Sequence, residues 1–406
     1  MKKYSKYKDS GIEWIGEIPE HWEVVRMKYL CNIGTGDKDT ENAKDGGEYP
    51  FFVRSQTVER ISTHTFDGEA ILTAGDGVGV CKVWHYINGK FDYHQRVYRM
   101  SDFDGVIGKY LFYYLKQNFV LEVKKLSAKS TVDSLRRPMF QNFQIVIGSL
   151  EEQTTIANYL DRKTAEIDDL IAKKERLIEL YKEECTATIN QAVTKGLDPT
   201  VAMKDSGIEW LGEIPAHWEV KRNKFIFKSR KTERIPLISE ERGKLTIREY
   251  DYYGASGVID KVDNFLFNED LILIGEDGAN LVTRTKRLAF IAKGKFWVNN
   301  HAHILEPKSG NIRYLCELLE LNDYAIYISG SAQPKLTQEA LLSIPSISPP
   351  KEEQNAIGDY LDKIYEEFDS LISKTEKEKE LLKEYKTALI SEVVLGKVDV
   401  REEVFV

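Results

Sequence analysis

The sequence predicts an α/β (α+β) protein in which two similar domains with mixed sheets are separated by two long helices, paired as an antiparallel coiled coil in a pseudo-two-fold, near-circular repeat. Three observations predict it. Residues 151–198, opening EEQTTIANYL, return at 352–399, opening EEQNAIGDYL, at a constant offset of 201 without a gap. The segment KDSGIEWIGEIPEHWEV (8–24) returns as KDSGIEWLGEIPAHWEV (204–220), changed only where Ile15 becomes Leu211 and Glu20 becomes Ala216. Between these repeats lie two blocks that share a skeleton of strands and one helix but not their polar residues. The expected division is 1–149 for the first domain, 150–198 for the central helix, 199–349 for the second domain, and 350–406 for the C-terminal helix and tail.

In DSGIEWIGEIPEHWEV (9–24), Gly11, Gly16 and Pro19 are too closely spaced for a regular helix, while Trp14, Ile18 and Trp22 supply an apolar surface. This predicts an extended aromatic clasp that packs on another part of the chain. The first block then alternates as strands. YPFFVRSQTV (49–58) and KFDYHQRVYRM (90–100) each read as a strand, and EAILTAGDGVGVCKVW (69–84) reads as strand, glycine turn, strand. In 106–126 the apolar positions Tyr110, Leu111, Tyr114, Leu115, Phe119 and Val123 fall at helical spacing. The polar loop SAKSTVDSL follows and feeds a last strand.

From Leu150 the pattern is one long helix. Ile156, Leu160, Ile167, Leu170, Ile171, Leu177, Ile178 and Tyr181 form a stripe, and no Gly or Pro occurs between Glu151 and Lys195. At 1.5 Å per residue such a helix is roughly 60 Å long. A single stripe of that length needs a partner. The C-terminal copy supplies Ile357, Leu361, Ile364, Phe368, Leu371, Ile372, Leu381, Leu382 and Leu389. Pairing within the chain is the economical solution, with pairing to another chain as the alternative. The second block, 221–349, repeats the first: REYDYYGASGVID, DLILIGEDGANLVT, KFWVNNHAHILEP and the helix-like 311–328 follow in the same order. GKF at 89–91 and 294–296 aligns at offset 205, which sets His94, Gln95 and Arg96 against Asn299, Asn300 and His301.

Composition restricts the function classes. The 406 residues are 42% hydrophobic and 30% charged, with mean hydropathy −0.40, and no run approaches a membrane span. MKKYSKYKD at the start has no apolar run behind it, so a cytoplasmic protein is expected. The four cysteines, Cys31, Cys81, Cys185 and Cys316, stand singly and read as buried thiols. The net charge of −8 hides a division. Residues 25–149 carry 17 Lys and Arg against 14 Asp and Glu, and 221–349 carry 19 against 16, whereas the helical blocks are acidic. That split suits one surface for phosphate and another for protein.

The twin variable blocks, the loop SGSAQPKL (329–336), the helices opening EEQ at 151 and 352, and WIGEIPEHW (14–22) together resemble the specificity subunit of type I restriction-modification enzymes. The resemblance covers essentially the whole chain. It implies two target-recognition domains, each reading one half of a bipartite double-stranded DNA target, with the helices setting the spacing and docking two methyltransferase subunits and then motor-nuclease subunits. The subunit would be non-catalytic. S-adenosylmethionine, ATP and magnesium, used for adenine DNA methylation or cleavage, are expected on partner subunits, with no cofactor or metal on this chain. The chain agrees in having neither an NPPY-like tetrapeptide nor a GxxxxGK[ST] phosphate loop, and the glycine string AGDGVGV (74–80) reads as a tight turn.

Readout of bases needs directional donors and acceptors, typically Arg to guanine and Asn or Gln to adenine, with Lys, Ser and amides on phosphate. In the first block the candidates are Arg54, Gln56, His94, Gln95, Arg96, Lys129, Ser130, Thr131, Arg136 and Arg137. In the second they are Tyr253, Ser256, Asn280, Asn299, Asn300, His301, Ser331, Gln333 and Lys335. Two other functions fit less well: a helical scaffold that assembles proteins without reading DNA, and a metal-dependent hydrolase. The latter would use His301 and His303, two apart on a strand, with Glu276 or Asp277.

Overall fold

The computed structural model describes residues 2–126, 134–330 and 333–403. The chain forms two compact units, Met1–Glu175 with Glu376–Val406, and Arg176–Thr375. The division falls inside both long helices rather than at their ends. Each unit therefore owns one variable block and half of each helix.

The first unit is built on a six-stranded mixed sheet: β1 (Asn32–Thr35), β2 (Tyr49–Phe52), β3 (Glu59–Ile61), β4 (Phe66–Ala74), β5 (Trp84–Tyr93) and β6 (Val97–Ser101), in the order β1-β6-β4-β5-β2-β3. The helix α1 (Gly108–Leu126) covers it, burying Tyr110, Leu111, Tyr114, Leu115, Phe119 and Val123, the positions read from periodicity. Two expected strands are broken. The 49–58 run ends at Phe52 because Ser55 turns back on itself, its hydroxyl donating to the Thr57 carbonyl at 2.8 Å. The 90–100 run is split by a turn at 94–96 into β5 and β6.

In the second unit the corresponding strands are β7 (Phe227–Ser229), β8 (Tyr250–Gly254), β9 (Gly257–Val262), β10 (Phe267–Asn268), β11 (Leu271–Gly275), β12 (Ala289–Ala292), β13 (Lys295–Val298) and β14 (Ala302–Pro307). They form two four-stranded sheets, β7-β14-β11-β12 and β9-β8-β13-β10. The register matches the first unit: Phe66 faces Phe91 and Phe267 faces Phe296, while the parallel pair Phe51–Asp92 is matched by Tyr252–Trp297. The long β4 and β5 have become two short strands each, which divides the sheet. Helix α2 (Ile312–Leu321) lies in the place of α1 and stops short of the predicted 328.

The long helices are α3 (Leu150–Lys195) and α4 (Lys351–Val394). Ser149 and Glu152 cap the start of α3 reciprocally, each backbone N–H donating to the other's side chain at 3.2 Å. Pairing is intramolecular and antiparallel. In the first unit Ile156, Leu160 and Ile167 share a core with Leu389, Ile390 and Val393, and Asp168 meets Lys386 at 2.5 Å. In the second, Ile189 and Val193 share a core with Ile357, Leu361 and Phe368, and the Tyr181 ring lies 6.3 Å from that of Phe368. Leu170 and Leu381, assigned to the buried stripes from sequence, are instead exposed, as are Leu180 and Tyr385.

The clasps are short two-stranded ribbons, Tyr7–Asp9 with Glu17–Pro19 and Met203–Asp205 with Glu213–Pro215. Each ends on a fully buried tryptophan, Trp22 or Trp218. Each also clips the first turn of a long helix: His21 Nε2 lies 2.9 Å from the Glu152 carboxylate, and His217 Nε2 lies 2.8 Å from that of Glu353. The C-terminal segment joins the first clasp, with Asp399 N–H donating to the Lys2 carbonyl at 2.9 Å. Two glycines make the helix ends fit. Gly196 and Gly396 have φ of +78° and +68°, and a Cβ on Gly396 would sit 2.6 Å from Pro19 Cδ. Gly396→Val is therefore expected to destabilise the first unit by about 3 kcal/mol, through left-handed strain plus overlap with a rigid ring. Gly196→Val, whose nearest neighbours stand at 3.1 Å and beyond, should cost less. Chemical denaturation of the two variants decides this, and equal losses would contradict it.

Candidate nucleic-acid interface

In each unit a three-residue turn between two strands carries polar side chains next to a carboxylate. The turn between β5 and β6 is His94-Gln95-Arg96. His94 is 2% exposed, and its Nδ1 accepts the Arg96 backbone N–H at 2.9 Å. Burial pushes its imidazole below the usual value, which keeps that acceptor available. Arg96 projects outward, and its Nη1 donates to Asp76 Oδ2 at 2.7 Å. The other Asp76 oxygen accepts from Arg54 Nη1 at 2.8 Å. Burial alone would raise the Asp76 carboxyl, but hydrogen bonds and charge from Arg54 and Arg96 outweigh it and hold it below the ordinary carboxylate range.

The second unit repeats the arrangement with different side chains. The turn between β13 and β14 is Asn299-Asn300-His301, in which Asn299 Oδ1 accepts the His301 backbone N–H at 2.8 Å. Asn299 is buried, and His301 projects outward with Nδ1 at 2.9 Å from both Asp277 oxygens. Asp76 and Asp277 are equivalent in structure, since each forms an isolated bridge to the segment leading to the long helix, Asp76 to Ser134 and Asp277 to Lys335.

Behind His301 stands a charge cluster that has no counterpart among the described residues of the first unit. Glu276, 3% exposed, accepts from Lys231 Nζ and Arg234 Nη1, both at 2.8 Å, with Lys335 Nζ at 3.4 Å. Burial would raise its carboxyl, yet these cations bring it down to about 2. Arg234 also donates to the Asn300 and Ala302 carbonyls, at 3.1 and 2.5 Å. The cluster thus fixes the turn from below.

The remaining candidates are placed as follows. Gln95 is exposed and donates to Asp39 at 2.6 Å, and Gln56 is exposed beside Arg54. Arg136 and Arg137 are exposed, with Arg137 donating to the Ile33 carbonyl at the first turn of a short helix rather than at the Asp76 cluster. Tyr253 is half-buried and stacks on Phe290 at 5.7 Å. Asn280 holds its own loop, its Oδ1 accepting the Lys286 N–H at 2.9 Å and its Nδ2 donating to the Lys286 carbonyl at 3.0 Å. Ser256 lies half-buried in the β8–β9 turn, and Gln333 is exposed next to Lys335. Lys129, Ser130, Thr131 and Ser331 lie outside the described residues. Asp76, Lys231 and Arg234 are not among the residues that sequence reasoning singles out; the match of Asp76 with Asp277 emerges from their bridges in the structure.

The metal alternative finds a different arrangement. His303 is fully buried, with Nε2 donating to the Leu336 carbonyl at 2.7 Å, and burial lowers its imidazole below the usual value. Glu276 is occupied by its two cations. Among the described residues no group of three or more His, Cys, Asp or Glu is arranged to hold a metal, and no helix is long and apolar enough to cross a membrane.

Comparison with known proteins bears on the whole chain. The family described as the type I restriction modification DNA specificity domain matches residues 19–180 and again residues 215–382. The chain belongs to this family. This specificity subunit therefore serves DNA target recognition in a type I system. The Escherichia coli type I restriction enzyme EcoDI specificity subunit is 28% identical over 208 residues, 51% of this chain, and the match spans 42% of that protein's length. The MjaVIII specificity subunit of Methanocaldococcus jannaschii is 26% identical over 430 aligned positions, covering 95% of this chain and 94% of that one. Among solved structures, a chain from a study of type I R-M complex assembly and conformational transition superposes with TM-score 0.68 at 12% identity, covering 93% of this chain and 98% of that one. The HsdS subunit of Thermoanaerobacter tengcongensis superposes with TM-score 0.55 at 14% identity, covering 96% and 100%. These two likenesses concern the fold.

Proposed function

We propose that this specificity subunit reads a bipartite double-stranded DNA target, one half with each unit, while α3 and α4 set the gap and dock two methyltransferase subunits. The observation that carries this reading is the pair of loop ends at 94–96 and 299–301. They share a backbone, a buried cap and an acidic partner, but present Arg96 in one unit and His301 in the other. Shared construction with exchanged polar tips is what two readers of different half-sites require. Docking is supported by Leu170, Leu180, Leu381 and Tyr385, large apolar side chains exposed along two otherwise strongly charged helices.

On this reading the chain is not catalytic. Adenine methylation with S-adenosylmethionine, and any ATP- and magnesium-dependent cleavage by motor-nuclease subunits, belong to its partners. The test is to map methylated adenines in DNA from cells that express the chain with its methyltransferase partner. A single two-part motif with a fixed gap is expected, with in vitro binding that weakens steeply with salt as counterions are released. Methylation without sequence preference, or none in the presence of the partner, would sink the reading.

A further inference from the structure

The paired turns allow a residue-level assignment that rests on the reading above and goes beyond it. In each unit the first residue of the three-residue turn is buried and caps the backbone N–H of the third, so the third residue leaves the sheet at a fixed angle. In each, a carboxylate that is itself largely buried grips the side chain of that third residue: Asp76 holds Arg96, and Asp277 holds His301. A long arginine loses much rotamer freedom on binding. One held in advance by a carboxylate has already lost it.

The grip is one-sided. Arg96 uses only Nη1 on Asp76, and among the described residues its Nε and Nη2 have no partner. Its side chain remains 60% exposed. A guanidinium with its remaining donors turned outward fits the paired acceptors O6 and N7 of guanine, which no other base presents. His301 binds Asp277 through Nδ1, so that nitrogen carries the proton, and among the described residues Nε2 has no partner. Arg54, the second guanidinium on Asp76, braces the carboxylate from the other side.

We propose that Arg96 and His301 are the specificity-determining residues of one base position in each half-site, that Arg96 reads guanine, and that Asp76 and Asp277 are their positioning residues. The exchange of Arg for His at one structural position then changes the base read without altering the turn that carries it.

The test uses the whole chain co-expressed with its methyltransferase partner, with the methylated motif mapped for wild type, Arg96→Ala, Arg96→Lys, Asp76→Asn and Asp277→Asn, and the melting temperature of each purified complex measured. Arg96→Ala should leave the second half-site and the gap intact. It should reduce preference for one guanine in the first half-site by about ten- to a hundredfold. Arg96→Lys, which lacks the fork, should recover only part of it. Asp76→Asn should relax the same position, and Asp277→Asn one position in the other half-site, with melting unchanged. A motif unchanged at every position while methylation falls uniformly would mean that Arg96 touches phosphate, and overturns the proposal. An unchanged motif with lowered melting in Asp76→Asn would mean a merely structural acid, and overturns it as well. Should the wild-type complex itself give no bipartite motif, the broader reading fails and this proposal falls with it.

Discussion

Inserting seven residues, about two helical turns, into α3 near Glu175 and the same number into α4 near Thr375 is expected to lengthen the gap between half-sites by about three base pairs. Each added residue contributes roughly 1.5 Å of rise, so seven add about 10 Å, against about 3.4 Å per base pair. Seven also preserves the phase of the apolar stripes, so that Ile167 and Leu389, or Tyr181 and Phe368, meet as before. Insertion into one helix alone should abolish specific methylation, because the antiparallel registers of the two units then no longer agree. In the doubly extended protein, methylation at the original spacing should fall by at least about a hundredfold, since a half-site displaced by several base pairs loses all its base contacts together. The methylation map reads both quantities. Retained activity at the original gap would remove the helices from any role in spacing.

Replacing Glu276 by alanine is expected to destabilise the second unit by about 3 kcal/mol or more. The carboxylate is buried against Arg234, whose side chain is only 9% exposed, and against Lys231, so its removal leaves an uncompensated cation beneath the 299–301 turn. Glu276→Gln keeps the shape but not the charge and should fall between. The same group gives a pH signature. With its folded value near 2 and an ordinary glutamate value of about 4.5, the ion pair's stabilisation is complete above pH 4.5 and is lost as pH falls toward 2. His303, which burial holds neutral, adds a second decline below its ordinary value of 6.5, where only the unfolded chain takes up the proton. Urea titrations across pH 3 to 7 should show a smaller loss over the lower step in Glu276→Gln than in wild type, the remainder coming from other carboxylates held low by their partners, such as Asp76 and Asp260. An identical profile in the two proteins would remove the ion pair from the stability account.

Much of this architecture is legible in the chain because it is written twice. The constant offset places α3 and α4 to within a few residues, since no glycine or proline interrupts the first copy until the helix has ended and the second follows it position by position: α3 stops at Lys195, short of the expected 198, and α4 at Val394. The reading loops are legible in position but not in detail. His94 and Asn299 carry side chains suited to bases, and nothing in strand periodicity marks the first residue of a turn as a cap for the third. Lys231 and Arg234 escape because they sit in a stretch of 20 residues between β7 and β8 where the first block has 13 between β1 and β2, so no offset pairs them with anything. Leu170 and Leu381 mislead for a different reason. Helical spacing puts them beside the buried stripe, but a two-helix seam is narrower than the apolar arc each helix carries.

The second unit is one unbroken stretch, Arg176–Thr375, whereas the first needs Glu376–Val406 to return to residues synthesised long before. On the ribosome, Ile156, Leu160 and Ile167 emerge early and wait without their cover until Leu389, Ile390 and Val393 follow. At typical elongation rates of about 5–20 residues per second, that wait is roughly 10 to 40 s. The second unit has all its residues first, although its sequence is translated later. Two units alike in construction therefore have unlike births, and the half of the molecule that begins the chain is the last to be finished.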